Sequence, residues 1–261
     1  PGDPRKAASY LGDFDELHLA FDFTVIYQKW SARGFARVFR EWMEACGERN
    51  WPTLVMNNHD QPRSYSRHMK HGESEERAKL LAALILTMKG TPFLYYGEEI
   101  GMKDGKIARH EIRDPVGIRY WPFNSGRDPQ RTPMLWNAGE GAGFSTVKPW
   151  LPLNDDARTR NVEEERKDTS SVWNWHRDLL ALRRANPELR SGSWEEIAAG
   201  EDVFAYRRSL SGKKVEVYLN FSSRPVRIPS PGGKLLLSSR GKREDDFENL
   251  GRYEALILSR S

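Results

Sequence analysis

The hydrophobic and polar positions in the first part of the chain follow two different periods. Residues 16–23, ELHLAFDF, alternate apolar and polar side chains, which is typical of a half-buried strand. Apolar side chains then recur at helical spacing over residues 34–46. The short apolar run at 53–57 predicts a second strand. We therefore expect a strand, a helix and a strand in this order.

The same alternation continues over the next forty or so residues. Residues 74–90, SEERAKLLAALILTMKG, predict a helix with Ser74 as its N-terminal cap. Residues 92–97 then predict a further buried strand. Strands that alternate with helices through short connections predict parallel pairing, and so an α/β sheet or barrel. In such folds the active site lies at the C-terminal ends of the strands.

The character of the chain changes after residue 102. Residues 103–161 lose all periodicity and are rich in Pro, Gly, Arg and Trp, although their many large aromatic rings argue against a disordered linker. A helix is predicted at 170–187, and a hairpin with two further strands follows it. We expect a small antiparallel β domain at 193–261, which leaves residues 1–192 as the first domain.

Composition excludes several classes of protein. The 41 basic and 37 acidic residues give a net charge of +4 and are interleaved, so no basic face for nucleic acid is expected. No apolar run is long enough to span a membrane. The single cysteine, Cys46, cannot form an internal disulfide, and we expect a cytoplasmic protein. No metal or cofactor is expected, because four histidines lack the spacing of a zinc site: His59, His68, His71 and His110.

Charged and polar side chains follow both of the later strands. The segment 56–64, MNNHDQPRS, places His59 and Asp60 directly behind an apolar run. Glu98 and Glu99 follow the strand predicted at 92–97 and resemble a general acid/base pair. Because neighbours on an extended chain point in opposite directions, we expect these two glutamates to be structural.

Three segments resemble, in order, the motifs of one enzyme family. WPTLVMNNHDQPRS (51–64) and GTPFLYYGEEIGM (90–102) resemble the strand-seven and strand-eight motifs of glycoside hydrolase family 13, the α-amylase family, in its α-glucosidase and oligo-1,6-glucosidase branch. SGRDPQRTPMLWNAGEGAGFSTVKPWLPLN (125–154) resembles the segment that follows them, and the resemblance extends from about Tyr10. It implies the C-terminal part of a (β/α)8 TIM barrel, about strands 6–8, followed by an antiparallel β-sandwich domain.

The resemblance also implies roles for individual residues. Asp60 corresponds to the carboxylate that stabilises the oxocarbenium-like transition state, and His59 would donate to the same sugar hydroxyls. Arg127 resembles the arginine that grips the terminal glucose, partnered by an aspartate from the N-terminal half of the barrel. Asp22, in the segment FDF, is a weaker candidate that would face the barrel interior.

Two further acids of the family are not found in this chain. The nucleophilic aspartate and the general acid/base glutamate would lie upstream of Pro1, so the chain resembles the C-terminal half of an exo-acting α-glucosidase. This interpretation predicts two partners: an α-glucoside oligosaccharide and a complementary N-terminal half. The alternatives are a non-catalytic scaffold of the same family, or a transglycosylase or isomerase. The loop typical of sucrose isomerases is not found after LAFDF.

Overall fold

The computed structural model describes residues 2–13, 15–69, 75–229, 231–241, 243 and 247–260. The predicted cap Ser74 and the histidine His71 lie outside these residues. The chain divides into two compact units. The first comprises Pro1–Met56, Glu76–Phe93 and His176–Ser261, and the second comprises Asn57–Glu75 and Leu94–Trp175.

The described residues contain helices, strands and short 3-10 turns. In chain order the α-helices are α1 Pro4–Ser9, α2 Ala32–Cys46, α3 Ser64–His68, α4 Glu75–Thr87, α5 Pro115–Tyr120, α6 Val162–Lys167, α7 Val172–Ala185 and α8 Pro187–Ser191. The strands are β1 Thr53–Val55, β2 Thr91–Phe93, β3 Ser193–Ile197, β4 Val203–Leu210, β5 Lys213–Asn220, β6 Val226–Arg227, β7 Lys234–Ser238, β8 Asn249–Leu250 and β9 Ala255–Arg260. None of these helices is long and apolar enough to cross a membrane.

Helix α2 confirms the helical spacing predicted for this part of the first unit. Its N-terminus is capped by Ser31, whose side chain accepts a hydrogen bond from the Gly34 N–H at 3.3 Å. Its C-terminus ends at Gly47, which has a φ of 67°. The apolar stripe packs inward, so that Phe39 stacks on Phe204 with ring centroids 6.3 Å apart.

Strands β1 and β2 pair in parallel, as the alternation predicts, with Leu54 opposite Pro92. Both strands are three residues long, and β2 ends well before the predicted Gly97. The helix between them, α4, ends at Thr87.

Residues 16–23, by contrast, form no strand, and that prediction was wrong. The large apolar side chains of this segment are exposed, including Leu17 and Phe21, whereas Asp22 is buried. A strand needs a neighbouring backbone to satisfy its N–H and C=O groups. Here one carbonyl, that of Ala20, accepts instead from the Thr53 hydroxyl at 2.8 Å.

The C-terminal part of the first unit is an antiparallel β structure. A five-stranded sheet has the order β3-β4-β5-β9-β7, and β6 pairs with β8. The predicted hairpin is confirmed between β4 and β5, where Ser211 and Gly212 both have positive φ, as a two-residue hairpin turn requires. One face buries a continuous apolar cluster that includes Tyr218, Leu256 and Leu258.

The second unit is built mainly from loops and single helical turns. Its apolar centre contains Ile100, Met102, Met134 and Leu135. Its segments are linked by hydrogen bonds from buried polar side chains instead of by strand pairing. Backbone N–H and C=O groups in loops also need hydrogen-bond partners. Asn154, for example, donates to the Lys103 carbonyl at 2.8 Å and accepts from a threonine hydroxyl at 2.7 Å. This unit contains the whole of residues 103–161, the segment predicted to be irregular.

Candidate active site

The loop that follows β1 is held by its two asparagines. The Asn57 amide nitrogen donates to the Ser64 hydroxyl at 3.0 Å, which closes the base of the loop. The Asn58 carboxamide oxygen accepts from the backbone N–H groups of Asp60 and Gln61 at 3.0 and 2.9 Å. Such an Asx turn fixes the backbone without using the side chains that follow it. His59 and Asp60 therefore project from an ordered turn.

One carboxylate oxygen of Asp60 lies close to two arginine side chains and to the ring of His59. Asp60 Oδ1 lies 2.9 Å from Arg131 Nη2, 3.5 Å from Arg127 Nη1 and 3.5 Å from His59 Nε2. Arg131 also donates through Nε to the His59 carbonyl at 2.9 Å. Within the described part of the chain, the other oxygen, Asp60 Oδ2, has no hydrogen-bond partner, and the side chain is 44% exposed. One edge of the carboxylate is held while the other faces outward.

Arg127 is oriented by a buried carboxylate of this chain. Its Nε and Nη2 donate to Asp114 at 2.8 and 3.1 Å, and its backbone N–H donates to the same carboxylate at 2.7 Å. These hydrogen bonds from Arg127 hold the pKa of Asp114 well below its usual range. The sequence had predicted a partner from an N-terminal half, and the structure supplies this additional aspartate.

The backbone around this pair is tightly constrained. Asp128 is buried, and its carboxylate accepts from the N–H groups of Arg113 and Asp114 at 2.6 and 2.8 Å. Gly126 has a φ of 72°, and a Cβ there would lie 2.8 Å from an Asp114 oxygen. A side chain at Gly126 would disturb the Asp114 carboxylate that orients Arg127.

Arg63 links its own segment to the segments that contain Tyr96 and Gln130. Its guanidinium donates to the Tyr96 carbonyl at 2.5 Å and to the Gln130 carbonyl at 3.0 Å. The same group stacks over the rings of Tyr95 and Tyr96, at 4.9 and 4.6 Å from their centroids. Since Gln130 precedes Arg131, this buried arginine fixes the turn that presents Arg131 to Asp60.

Glu98 and Glu99 do not lie on an extended strand, so that premise of the prediction was wrong. They form a 3-10 turn, Glu98–Ile100, after the left-handed Gly97. Glu98 accepts from the Tyr95 N–H at 3.2 Å and from the Asn57 side chain, and burial raises its pKa to about 7. Burial also raises the pKa of Glu99. Glu98 thus supports the loop of Asn57 from behind.

The remaining candidates lie elsewhere. Asp22 belongs to the first unit, where it is buried and accepts from the Thr24 hydroxyl and N–H at 2.5 and 3.3 Å. Burial raises its pKa. His68 lies in helix α3, and His110 in a 3-10 turn. Among the described residues, no three histidine, cysteine or acidic side chains form a group that could hold a metal ion.

The second unit thus brings His59, Asp60 and Arg127 together, and adds two residues that sequence reasoning missed. Asp114 and Arg131 make ion pairs across 13 and 71 residues, which no local pattern reports. Weaker signals exist: the tripeptide Arg-Asp-Pro occurs at both 113–115 and 127–129, and Asp before Pro marks a helix cap. Arg131 also follows Arg127 by four residues, at the two ends of one short 3-10 turn.

This arrangement suits recognition of vicinal hydroxyl groups. A carboxylate with one open oxygen accepts hydroxyl protons, and the guanidinium groups beside it donate to hydroxyl oxygens. A negative charge fixed in advance also stabilises positive charge that develops on a bound sugar ring.

Comparison with known proteins identifies the class of protein to which this fold belongs. A family model described as the α-amylase catalytic domain matches residues 10–192, and one described as a domain of unknown function (DUF3459) matches residues 192–257. The solved trehalulose synthase MutB from Pseudomonas mesoacidophila MX-45 superposes with a TM-score of 0.86 at 28% identity, over 99% of this chain and 54% of that one. An α-glucosyl transfer enzyme, XgtA, superposes with a TM-score of 0.87 at 29% identity, over 100% of this chain and 49% of that one. The fold is therefore part of a TIM-barrel enzyme with its C-terminal β domain.

Among curated relatives, the probable oligo-1,6-glucosidase 2 of Bacillus subtilis is 33% identical over 97% of this chain and 52% of its own length. The oligo-1,6-glucosidase of Parageobacillus thermoglucosidasius is 32% identical over 77% of this chain and 40% of its own length. The chain spans about half the length of the curated relatives it matches. The chain belongs to the α-amylase family, glycoside hydrolase family 13.

Proposed function

We propose that this chain forms the glucose-binding side of the active site of a retaining, exo-acting α-glucosidase, which releases terminal α-linked glucose from oligosaccharides. Its complementary N-terminal half carries the nucleophile and the general acid/base. The similarity to α-glucosidases and oligo-1,6-glucosidases supports the substrate class. Asp60, His59 and Arg127 are the residues of this chain that contact the sugar.

The observation that carries this proposal is the asymmetric setting of Asp60. Oδ1 is held by Arg131 at 2.9 Å, while Oδ2 remains open within the described residues. Two carboxyl groups about 5–5.5 Å apart perform the displacement in a retaining enzyme, and positive charge develops on the glucose ring between them. A third carboxylate that accepts from ring hydroxyls binds this charged ring more tightly than the neutral substrate. Asp60 has the geometry for that role.

Arg127 complements Asp60 in the proposed complex. Asp114 holds two of its guanidinium nitrogens, so that Nη1 is directed toward Asp60 at 3.5 Å. A fork fixed in this way loses little freedom when a hydroxyl binds beside it. His59, at 64% exposure, adds a ring nitrogen on the same side.

The test is reconstitution of the whole barrel. This chain is co-expressed with a complementary N-terminal half-barrel, and glucose release from isomaltose and maltose is measured. Proton NMR of the first product should show α-glucose before mutarotation, because retention requires two inversions. Glucose of the β form would contradict the retaining mechanism, and a folded complex that releases no glucose would contradict the proposed hydrolysis.

A second candidate reaction is glucosyl transfer or sucrose isomerisation. Two structural neighbours are described as a trehalulose synthase and an α-glucosyl transfer enzyme, both with TM-scores of at least 0.86. The same covalent intermediate would then be captured by a sugar hydroxyl instead of water. Product analysis with sucrose decides between them: free glucose and fructose support hydrolysis, and an isomeric disaccharide supports isomerisation.

We also propose a cytoplasmic location. Cys46 is buried in helix α2, and burial raises the pKa of its thiol to about 12. A protonated, buried thiol is consistent with a protein that does not use disulfides. Fractionation of cells tests this location, and recovery outside the cytoplasmic fraction would contradict it.

A further inference from the structure

We propose that the C-terminal β structure of the first unit contains a binding site for a phosphate group, formed by the side chains of Arg240 and Arg252. Arg240 lies just after β7 and Arg252 just after β8, and both line a cavity of about 420 Å³ together with Arg243. None of these residues has a role in the proposed function, so the inference goes beyond it. A planar guanidinium can donate to two phosphate oxygens at once, which suits arginine to this ligand.

The one carboxylate found in the described lining of this cavity is already neutralised. Glu254 is 1% exposed, and its Oε1 accepts from the Ser238 hydroxyl at 2.8 Å and from Arg243 Nη1 at 2.9 Å. Its Oε2 accepts from the Gly251 N–H at 2.6 Å. Arg243 also donates through Nη2 to the Asn249 carbonyl at 2.6 Å. This buried pair forms a fixed wall, and the charges of the other two arginines face the cavity.

Arg240 and Arg252 approach the same carboxylate from two sides. Arg252 Nη2 lies 3.1 Å from Glu76 Oε2, and Arg240 Nη1 lies 3.7 Å from Glu76 Oε1. The two guanidinium groups are therefore close enough to bind one oxyanion together. Donors also remain for it: within the described chain, Arg252 Nη1 and the Arg240 guanidinium make no hydrogen bond, and the side chains are 59% and 47% exposed. One carboxylate does not balance two guanidinium charges.

The position of the Arg240 side chain depends on the glycine at position 251. A Cβ at Gly251 would lie 2.7 Å from Arg240 Cδ and 2.9 Å from its Nε, so the arginine packs directly on this backbone. The backbone is itself fixed, because the Gly251 carbonyl accepts from Asn220 Nδ2 at 2.7 Å. A methyl group at position 251 would therefore displace Arg240 without changing any charge.

The shape and size of the cavity favour a phosphate ester of a small molecule. A phosphate ester carries a charge of about −1.5 to −2 at pH 7 and three acceptor oxygens, enough to bridge donors on two guanidinium groups. A carboxylate has two oxygens, and Glu76 already supplies one such group. A cavity of about 420 Å³ is within the range of small-molecule pockets, and it leaves room for the group that is esterified.

Titration with glucose 6-phosphate tests the site. Calorimetry of the 261-residue chain at fixed ionic strength should show saturable binding of one equivalent. Arg240→Gln should weaken this binding by about tenfold, because it removes charge-assisted hydrogen bonds. Arg37→Gln is the matched control: this arginine is 59% exposed, as Arg252 is, but it pairs with Glu41 and lies outside the cavity lining. A lack of saturable binding, or equal weakening in the two variants, would overturn the site.

A second variant separates a formed site from general attraction between charges. Gly251→Ala keeps the net charge of the chain but displaces Arg240, so it should also weaken binding of glucose 6-phosphate. Circular dichroism and thermal unfolding of the same variant check that the fold is kept. A folded Gly251→Ala chain that binds as tightly as the wild type would overturn the assignment of Arg240.

Two further ligands define which anion is recognised. Inorganic phosphate lacks the sugar, and glucuronate has a carboxylate in place of the phosphate group. Weaker binding of inorganic phosphate than of glucose 6-phosphate would support a phosphate ester as the ligand, and equal binding would support free phosphate. Glucuronate that binds as tightly as glucose 6-phosphate would overturn a site for phosphate.

Discussion

Arginines in the two units of this protein occupy opposite environments. Arg208, in the first unit, is fully buried and donates to four backbone carbonyls, those of Ser193, Thr87, Leu189 and Gly192, at 2.8 to 3.0 Å. Arg127 and Arg131, in the second unit, are 41% and 25% exposed and bind carboxylates. The first arrangement pairs all three guanidinium nitrogens with backbone carbonyls. The second leaves Asp60 Oδ2 without a hydrogen-bond partner among the described residues.

The difference separates a structural role from a binding role. A buried guanidinium that donates to carbonyls of several backbone segments stabilises the fold. None of its nitrogens is then left to bind a ligand. Charged groups held at one edge and open at the other are already oriented for a ligand, because the protein has fixed their geometry before binding. The following predictions test this distinction, from the largest expected effect to the smallest.

The largest effect is expected for Asp60→Asn in the reconstituted enzyme. Loss of the negative charge should lower kcat/KM for glucose release by about 10³-fold, because the charge acts on the transition state. Its effect on the free energy of unfolding should stay within about 0.5 kcal/mol, since the side chain is 44% exposed. Asp155→Asn, which removes an exposed carboxylate 2.7 Å from Lys106, is the matched control and should change neither quantity.

Arg208→Met should show the reverse behaviour. Removing the guanidinium leaves four carbonyls without their donor in a buried site, so the free energy of unfolding should fall by about 3–5 kcal/mol. Urea denaturation of the chain measures this loss. Arg33→Met, at an exposed ion pair with Glu201, should change stability by less than about 1 kcal/mol. Equal losses in the two variants would contradict the structural role of Arg208.

Asp114→Asn should produce an intermediate effect on both catalytic activity and the free energy of unfolding. Arg127 would lose its charged partner, so KM for maltose should rise by about tenfold. The lowered pKa of Asp114 means that its stabilising contribution is complete above the unfolded pKa of about 3.9 and is lost as pH falls through the folded pKa. The variant should therefore lose less stability than the wild type on acidification below pH about 4. Identical acid unfolding curves would contradict this linkage.

Glu98→Gln should produce the smallest effect, and a pH-dependent one. Because the folded pKa is raised to about 7, the wild type binds a proton in the folded state that the unfolded state releases. Its contribution is fully present below the unfolded pKa of about 4.3 and is lost as pH rises through about 7. The stability of the wild type should therefore fall more than that of Glu98→Gln as pH rises over this range. Thermal unfolding at pH 5 and pH 8 measures the difference, and parallel curves would contradict it.

Elements governed by local signals could be predicted from the sequence. Helix α2 has its cap at Ser31 and its apolar spacing within fifteen residues, and the β4–β5 hairpin has its turn at Ser211 and Gly212. Residues 16–23 had the alternation of a strand but, in the described chain, form no ladder with a neighbouring strand. Periodicity reports which side chains alternate, and it does not report whether a partner backbone is available.

Prediction of the site was limited in the same way, because local patterns do not report contacts between distant segments. Asp60 and His59 could be proposed as site residues because they lie within one contiguous motif, and Arg127 because it lies in another. Their geometry depends on Asp114 and Arg131, whose contacts join separate loops. Such contacts result from the packing of the second unit, where the chain has no regular period to indicate which segments meet.

The most direct test of the account is a crystal structure of the reconstituted enzyme with glucose bound. We predict that Asp60 Oδ2 accepts a hydrogen bond from a glucose hydroxyl at about 2.7 Å, while Oδ1 keeps its contact with Arg131. Arg127 Nη1 should donate to the same glucose molecule. Glucose bound away from Asp60, or an Asp60 carboxylate with no sugar contact at full occupancy, would contradict the central claim.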